Sequence, residues 1–276
     1  MAVWGSGPEC RAALRAVGAH GPARLIAVDD SAGFCHVPWS GEPAPLAGGD
    51  HAYPALVTAE VVVRTAAIPS SHAWLADLRE LGVAVTTGSS LWMVDHAAQT
   101  IAVTGGDGRS ATAALVGHLF AALGRPVAGG GEPLALPEAG EYVIELEPAR
   151  CAGLSRSPRV AVVTSLAEGV LGLIESGPEL IVVDGTDVGL RDAIRGVKDV
   201  NGFPPVPVAA EDSRFRVEDD KFFCSDEPLF PRGALRSTGE SDGRALCVAL
   251  AVLDGVGIDV PGTRDDIRTA LESATL

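Results

Sequence analysis

Residues 101–115 constrain the fold of this 276-residue chain most, because they combine an apolar run, a glycine-rich turn and a helical pattern. This order predicts a buried strand that leads through a turn into a helix. Glycines in such a turn let consecutive backbone N–H groups point at one anion, and the helix dipole favours negative charge there. A phosphate-binding loop of this type carries a lysine, whereas this chain has Arg109 at that position and adds the carboxylate of Asp107. We therefore predict a turn that binds phosphate or sulfate, formed by Gly105, Gly106, Gly108, Arg109 and Ser110.

The first thirty residues predict another strand, turn and helix. An apolar strand that contains Val3 is followed by a turn with Gly5 and Gly7, a helix, and a second apolar strand that ends at Asp29. A glycine turn after one strand and an acid at the end of the next is the arrangement of dinucleotide-binding folds. Cys10 replaces the third glycine of that pattern, which leaves two interpretations open. Either the two glycines and Asp29 bind a nucleotide sugar, or the glycines only permit a tight turn and the carboxylate caps a strand end.

Short apolar runs alternate with helical patterns along most of the chain, which predicts an α/β fold of parallel sheets covered by helices. Residues 1–97 are predicted to form a Rossmann-like domain, and residues 98–276 a second α/β domain built around the glycine-rich turn. Proline and glycine between residues 33 and 54 predict loops and a short hairpin. A further hairpin is predicted for residues 215–223, with Asp219 and Asp220 at its turn.

The formal net charge of −15 limits the partners that this chain is expected to bind. Only Lys198 and Lys221 supply lysine, whereas a nucleic acid or an anionic membrane surface needs basic patches. We therefore expect neither partner. No signal peptide and no apolar run of about 20 residues is visible, which predicts a cytoplasmic protein. The five cysteines lack metal-binding spacing and are predicted to be reduced thiols in the core.

The order of these motifs resembles that of the Mur ligases, and most closely the type that adds D-glutamate to UDP-N-acetylmuramoyl-alanine. Residues 103–112, followed by residues 117–119 and 124–127, match the family's T-G-T-N-G-K-S-T-T loop and its helix. Residues 61–85 resemble its V-V-S-P-G-I-P … G-I-P-V passage, and residues 3–30 resemble its nucleotide-sugar turn. The resemblance covers essentially the whole chain and implies two domains, one Rossmann-like and one P-loop-like. The family's third domain would begin where this sequence stops, so we expect it to be absent.

The resemblance also implies which catalytic groups this chain has lost. In the family, ATP phosphorylates a carboxylate, magnesium neutralises the phosphates, and an amine attacks the acyl phosphate. The resemblance places Arg109 at the loop lysine, Ser110 at a magnesium-binding serine, and Glu145 at a metal-binding glutamate. The family's N-x-x-x-D-H-L-D element falls on residues 165–172, which contain no Asn, Asp or His. Because the charge of magnesium-bound ATP then lacks its counter-charges, we expect no ATP-dependent ligation, no cofactor, and only Glu145 as a candidate metal ligand.

Three hypotheses for the function follow from these observations. In the first, the chain is a repurposed enzyme or enzyme subunit of a specialised, secondary-metabolite pathway. It would bind an anionic small molecule at residues 104–112, with Arg64 as a second ligand, and the anion would leave in an elimination or cyclisation whose catalytic base the sequence does not identify. In the second, the chain is a non-catalytic scaffold for a catalytic protein partner, as part of a hetero- or homo-oligomer. In the third, it binds a nucleotide sugar at Gly5, Gly7 and Asp29.

Overall fold

The computed structural model describes residues 1–29, 46–151, 153–196, 205–235 and 239–274. Residue contacts divide the chain into two compact units, each with its own parallel sheet. The first unit consists of Met1–Asp95, Glu132–Ala135 and Gly153–Ser155, and the second of His96–Gly131, Leu136–Ala152 and Arg156–Leu276.

The first unit is built on short, apolar, parallel strands. Its described strands are β1 (Ala2–Trp4), β2 (Ile26–Asp29), β3 (Leu46–Gly48), β4 (Val61–Arg64) and β5 (Ala84–Thr87), in the order β3-β2-β1-β4-β5. Its described helices are α1 (Gly7–Ala19), α2 (Ala52–Val57), α3 (Ala73–Glu80) and α4 (Gly88–His96), the last of which ends at the start of the second unit. Strand and helix side chains form the core, as shown by the complete burial of Trp4, Leu14 and Leu78.

The second unit has a wider parallel sheet and a small antiparallel one. The described parallel strands are β6 (Thr100–Thr104), β7 (Ala128–Gly130), β8 (Tyr142–Glu145), β9 (Val160–Val163), β10 (Leu180–Asp184) and β11 (Val206–Val208), in the order β11-β10-β9-β6-β8-β7. The antiparallel strands are β12 (Phe215–Glu218), β13 (Lys221–Cys224) and β14 (Glu227–Pro231). The helices that the structure describes here are α5 (Arg109–Ala122), α6 (Pro148–Cys151), α7 (Leu171–Glu175), α8 (Val188–Gly196), α9 (Glu240–Gly255) and α10 (Arg264–Ser273).

The sequence explains why β6 lies in the middle of the second sheet. Every residue of β6 is buried, as in a strand with both faces covered, and its apolar run has no polar alternation. Helix α5 presents Leu115, Leu119 and Phe120 to the core at helical spacing, and it packs against α9. The turn between β6 and α5 is therefore held by a buried strand at one end and a buried helix at the other.

The predicted α/β fold with parallel sheets is confirmed, and so is the hairpin at Asp219 and Asp220, whose positive φ angles of 46° and 57° suit a tight two-residue turn. The prediction of loop and hairpin for residues 33–54 is wrong where the structure describes it. There β3 pairs in parallel with β2, and α2 begins at Ala52. The rest of that prediction, together with Cys35, lies outside the described residues.

Two further properties bear on the expectations from composition. Cys10, Cys151, Cys224 and Cys247 are buried and free, as predicted for core thiols. None of the described helices is long and apolar enough to cross a membrane.

Candidate functional site

The turn between β6 and α5 lies at the carboxyl edge of the second sheet. Strand β6 is flanked by β8 on one side and β9 on the other, so the chain reverses its direction of winding at β6. Ligands of open parallel sheets bind at such a switch point, because the loops on either side diverge there. The end of β8 brings Glu145 to the turn, and the residues after β9 bring Thr164 and Ser165.

Gly105 gives the turn its shape. Its φ of 131° is a conformation that essentially only glycine adopts. A Cβ atom here would lie 2.3 Å from Thr164 Oγ1 and 2.8 Å from the backbone N of Ser165. The glycine is therefore required for the close approach of the segment after β9, whether or not a ligand binds.

Ser165 occupies the backbone groups that an anion would use. The N–H groups of Gly106 and Asp107 donate to Ser165 Oγ, with N···O distances of 2.8 and 3.2 Å. Thr164 Oγ1 donates to the carbonyl oxygen of Asp107 at 2.7 Å and so holds the other side of the turn. The turn is thus tied to the chain after β9 by side-chain hydroxyls.

Arg109 turns back onto the protein rather than into an open cradle. Its Nε lies 3.5 Å from Glu145 Oε2, and its Nη1 donates to the carbonyl oxygen of Gly105 at 3.4 Å. The same Oε2 accepts a hydrogen bond from Ser110 Oγ at 2.7 Å. Both charged side chains are mostly covered, with exposed fractions of 23% for Arg109 and 28% for Glu145. A guanidinium and a hydroxyl therefore already satisfy the candidate metal ligand.

Glu145 is not part of a cluster of metal-binding side chains among the residues that the structure describes. No group of three or more His, Cys, Asp or Glu side chains there has the arrangement that could hold a metal ion. The nearby thiol of Cys151 donates to Thr104 Oγ1 at 3.3 Å, and burial raises its pKa to about 11. This thiol is protonated at neutral pH, so it does not act as a nucleophile beside the turn.

Asp187 fixes the start of α8 at the same edge. Its Oδ1 accepts a hydrogen bond from the N–H of Leu190 at 2.9 Å, as in an N-cap, and its Oδ2 accepts one from Leu166 at 2.8 Å. These amide hydrogen bonds, of which that from Leu166 is the strongest influence, hold the pKa of Asp187 below its ordinary value.

We expect Asp187→Ala to lower the free energy of unfolding by about 1 kcal/mol at neutral pH, the typical loss for an N-cap. A carboxyl whose pKa is depressed by folding contributes stability above its unfolded pKa and loses it as the pH falls through the folded pKa. The difference between wild type and variant should therefore be constant from pH 5 to 8 and shrink below about pH 4. Urea unfolding across this pH range measures it, and Asp192→Asn, an exposed carboxylate on α8, is the control. A difference that grows on acidification would contradict this assignment.

The three residues that the sequence predicts to bind a nucleotide sugar belong to the first unit. Gly5, with φ of 132°, precedes α1, and a Cβ atom there would lie 1.9 Å from Thr65 Oγ1. Gly7, with φ of 79°, begins α1 in open space, and Asp29 ends β2 with 8% of its surface exposed. The glycines therefore do permit tight turns, and nucleotide-sugar binding stays a prediction.

Arg64 was predicted to be a second anion ligand. The structure places it at the end of β4 in the first unit, 6% exposed, with Nη1 donating to the carbonyl oxygen of Ile68 at 2.8 Å. Burial lowers the pKa of this guanidinium, with a further contribution from the nearby charge of Arg79. The side chain thus holds its own turn together, and its role as an anion ligand stays a prediction.

Sequence reasoning located the turn but missed what closes it. Thr164 and Ser165 follow the apolar run of β9, and two hydroxyl residues at the carboxyl end of a strand next to β6 were the available signal. The contact of Arg109 with Glu145 gave no such signal, because it depends on the alignment of β6 with β8.

No protein-family model matches the chain. A curated protein from Micromonospora sp. is 45% identical over 299 residues, which cover 98% of this chain and 64% of that protein. One from Salinispora tropica is 42% identical over an alignment of 297 residues, which covers 98% of this chain and 65% of that protein. Both are named UDP-N-acetylmuramoyl-L-alanine–L-glutamate ligase. This chain therefore spans somewhat less than two thirds of the length of these relatives. Their names specify L-glutamate, whereas the sequence motifs resemble most closely those of the D-glutamate type.

Solved structures agree on the fold. A UDP-N-acetylmuramate:L-alanyl-gamma-D-glutamyl-meso-diaminopimelate ligase from Neisseria meningitides superposes with a TM-score of 0.63 at 15% identity, over 100% of this chain and 98% of that one. A murein peptide ligase from Psychrobacter arcticus gives a TM-score of 0.58 at 15% identity, over 99% of this chain and 67% of that one. At this identity the likeness shows a shared architecture.

Proposed function

Because the chain belongs to the Mur ligase family, we propose that it is a non-ligating member, a pseudoenzyme that keeps the fold but not the ATP-dependent chemistry. The observation that carries this proposal is the contact of Arg109 and Ser110 with Glu145 Oε2. The resemblance assigns the serine and the glutamate to magnesium. In this chain they bond directly to each other, and the guanidinium supplies the positive charge.

The electrostatics of the site support the loss of ligation. Magnesium-bound ATP keeps about two negative charges, and stripping paired counter-charges from a dry site costs several kcal/mol. Arg109 is already paired, and Asp107 adds a carboxylate beside the turn. A planar guanidinium also does not replace the compact ammonium of lysine in a tight phosphate cradle. A nucleotide phosphate would therefore meet less positive charge here than in a lysine-containing loop.

The hydrogen bonds of the turn also argue against phosphate binding. A phosphate that enters the turn must first displace Ser165 Oγ from the N–H groups of Gly106 and Asp107. The phosphate would replace Ser165 Oγ as the acceptor of these N–H groups, so the hydrogen bonds that it gains are offset by those that Ser165 loses. Of the sequence-derived hypotheses, the non-catalytic scaffold thus fits the geometry better than the repurposed anion-binding enzyme. The protein partner and the anion site both stay predictions.

We expect that this chain neither hydrolyses ATP nor gains thermal stability from it. The experiment measures the melting temperature with 5 mM ATP and 10 mM magnesium chloride, and phosphate release when UDP-N-acetylmuramoyl-L-alanine and L-glutamate are also present, with the Micromonospora relative as the positive control. A ligand at 100 times its Kd stabilises the folded state by about 2.7 kcal/mol, so a binder would give a clear shift. The variant Asp107→Asn/Arg109→Lys/Ser165→Asn, which restores the family's residues, should show a larger shift than wild type.

Magnesium-dependent phosphate release by the wild-type chain, abolished by Glu145→Gln, would refute the proposal. The anion hypothesis is tested by comparing the melting temperature in sodium sulfate with that in sodium chloride at the same ionic strength. Stabilisation by sulfate that is lost in Arg109→Ala would favour the repurposed enzyme, and its absence would favour the scaffold.

A further inference from the structure

The second unit contains an open pocket of about 250 Å³ beside the turn. Three carboxylates line it: Asp107 comes from the turn, Asp184 from the end of β10, and Asp187 from the start of α8. Arg244 on α9 is the single basic residue that lines it. The pocket therefore carries a formal charge of about −2 when these groups are ionised.

The guanidinium of Arg244 neutralises only part of this charge. Its Nη1 donates to Thr186 Oγ1 at 3.1 Å and lies 3.9 Å from Asp184 Oδ2. Among the described residues, no basic nitrogen lies within 4.0 Å of a carboxylate oxygen of Asp107 or Asp187. The low pKa of Asp187 keeps that carboxylate ionised at neutral pH. The charge of Arg244 contributes to that low pKa, and backbone N–H groups donate to both oxygens of Asp187, yet the net charge of the pocket stays negative.

A buried hydroxyl gives an independent indication that a polar ligand enters. Thr112, near the start of α5, lines the same pocket and is only 1% exposed. Its Oγ1 has no hydrogen-bond partner among the residues that the structure describes. A buried hydroxyl without a partner is costly, and a ligand N–H that reached it would remove that cost.

The acidic side chains that the structure describes do not form a group that could hold a metal ion. Carboxylates that do not form such a group instead suit an organic ammonium, which can donate up to three hydrogen bonds in separate directions. We propose that this pocket binds a small organic amine, held by Asp107 and Asp187, with Thr112 as an acceptor. This goes beyond the proposed function and does not depend on it.

The test is calorimetric titration of the whole chain with putrescine, which carries two ammonium groups on a four-carbon chain, in 150 mM sodium chloride. We expect saturable binding that Asp107→Asn and Asp187→Asn each weaken by about fivefold, the effect of removing one exposed ion pair. The exposed carboxylate of Asp192 is the matched control, and Asp192→Asn should leave the affinity unchanged. Succinate, an anion of similar length, should not bind.

The side chain of Asp107 is exposed, so its variant tests the proposal even if Asp187→Asn were to unfold the protein. Absence of putrescine binding would overturn the proposal. So would binding that neither Asp107→Asn nor Asp187→Asn weakens, because the amine would then associate with the acidic surface in general. Succinate binding at least as tightly as putrescine would also overturn it, since the pocket would then act through Arg244.

Discussion

Replacing Gly105 by alanine is expected to lower the free energy of unfolding by about 3 to 5 kcal/mol, which is on the order of 10 °C in melting temperature. Two costs add in this variant. The φ of 131° strains any residue with a Cβ, and that Cβ would lie 2.8 Å from the backbone N of Ser165 as well as 2.3 Å from Thr164 Oγ1. Thermal and urea unfolding measure the loss.

Two glycines of the same unit separate these costs. Gly124 has a φ of 76° in open space, so Gly124→Ala reports backbone strain alone, about 1 kcal/mol. Gly140 has neither positive φ nor a close neighbour, so Gly140→Ala should be nearly neutral. Adding Thr164→Ala to Gly105→Ala should recover little, because the contact with the backbone of Ser165 remains. A Gly105→Ala variant as stable as Gly140→Ala would contradict the packing described for the turn.

Replacing Gly5 by alanine is expected to cost the first unit a similar amount, about 3 kcal/mol or more. The φ of 132° is again open only to glycine, and the Cβ would lie 1.9 Å from Thr65 Oγ1 and 2.9 Å from both Cβ and Cγ2 of that residue. Here, in contrast to Gly105, all the closest atoms belong to one side chain. Unfolding followed by tryptophan fluorescence reports on this unit, because all four tryptophans of the chain belong to residues 1–95.

The double variant Gly5→Ala/Thr65→Ala should therefore regain part of the lost stability. Thr65→Ala alone should cost little, because Thr65 Oγ1 has no hydrogen-bond partner among the described residues. Gly21→Ala, at a φ of 62° in open space, is the control for backbone strain. If Thr65→Ala recovered nothing, the close contact with Thr65 would not be the source of the cost.

The sequence predicted most of the fold because most of the parallel strands are short, largely apolar runs between clear turn residues. Helix α4 was not predicted, since it begins with Gly88, Ser89 and Ser90, which favour helices weakly. Strand β7 was not predicted either, since Gly129 and Gly130 are typical of a turn. A Cβ atom on Gly129 would lie 2.9 Å from the carbonyl oxygen of Val143, so a glycine is needed in that strand.

The turn of the candidate site was predictable from the sequence, but the residues that contact the turn were not. A turn between a strand and a helix is a local feature, and the residues 104–112 specify it by themselves. The partners of Arg109 and of the turn amides lie 36 to 59 residues further along the chain, in β8 and just after β9. Which side chain of a neighbouring strand reaches the turn depends on the alignment of strands in the sheet, and the sequence pattern does not specify that alignment.

A glycine packs against a threonine in both units, Gly5 against Thr65 and Gly105 against Thr164. In each case the threonine N–H also donates to the carbonyl oxygen of the residue before the glycine, Trp4 or Thr104, at 2.9 Å. In each unit the glycine lets a second strand end pack against the first turn. Loss of catalysis would relax selection on a lysine or an asparagine, but not on these glycines, because the variant chains would fold poorly. Under genetic drift a glycine-rich turn is thus expected to persist in such a chain even where catalysis is lost. The turn therefore indicates the ancestry of such a chain. Whether nucleotide chemistry persists has to be judged from the side chains around the turn.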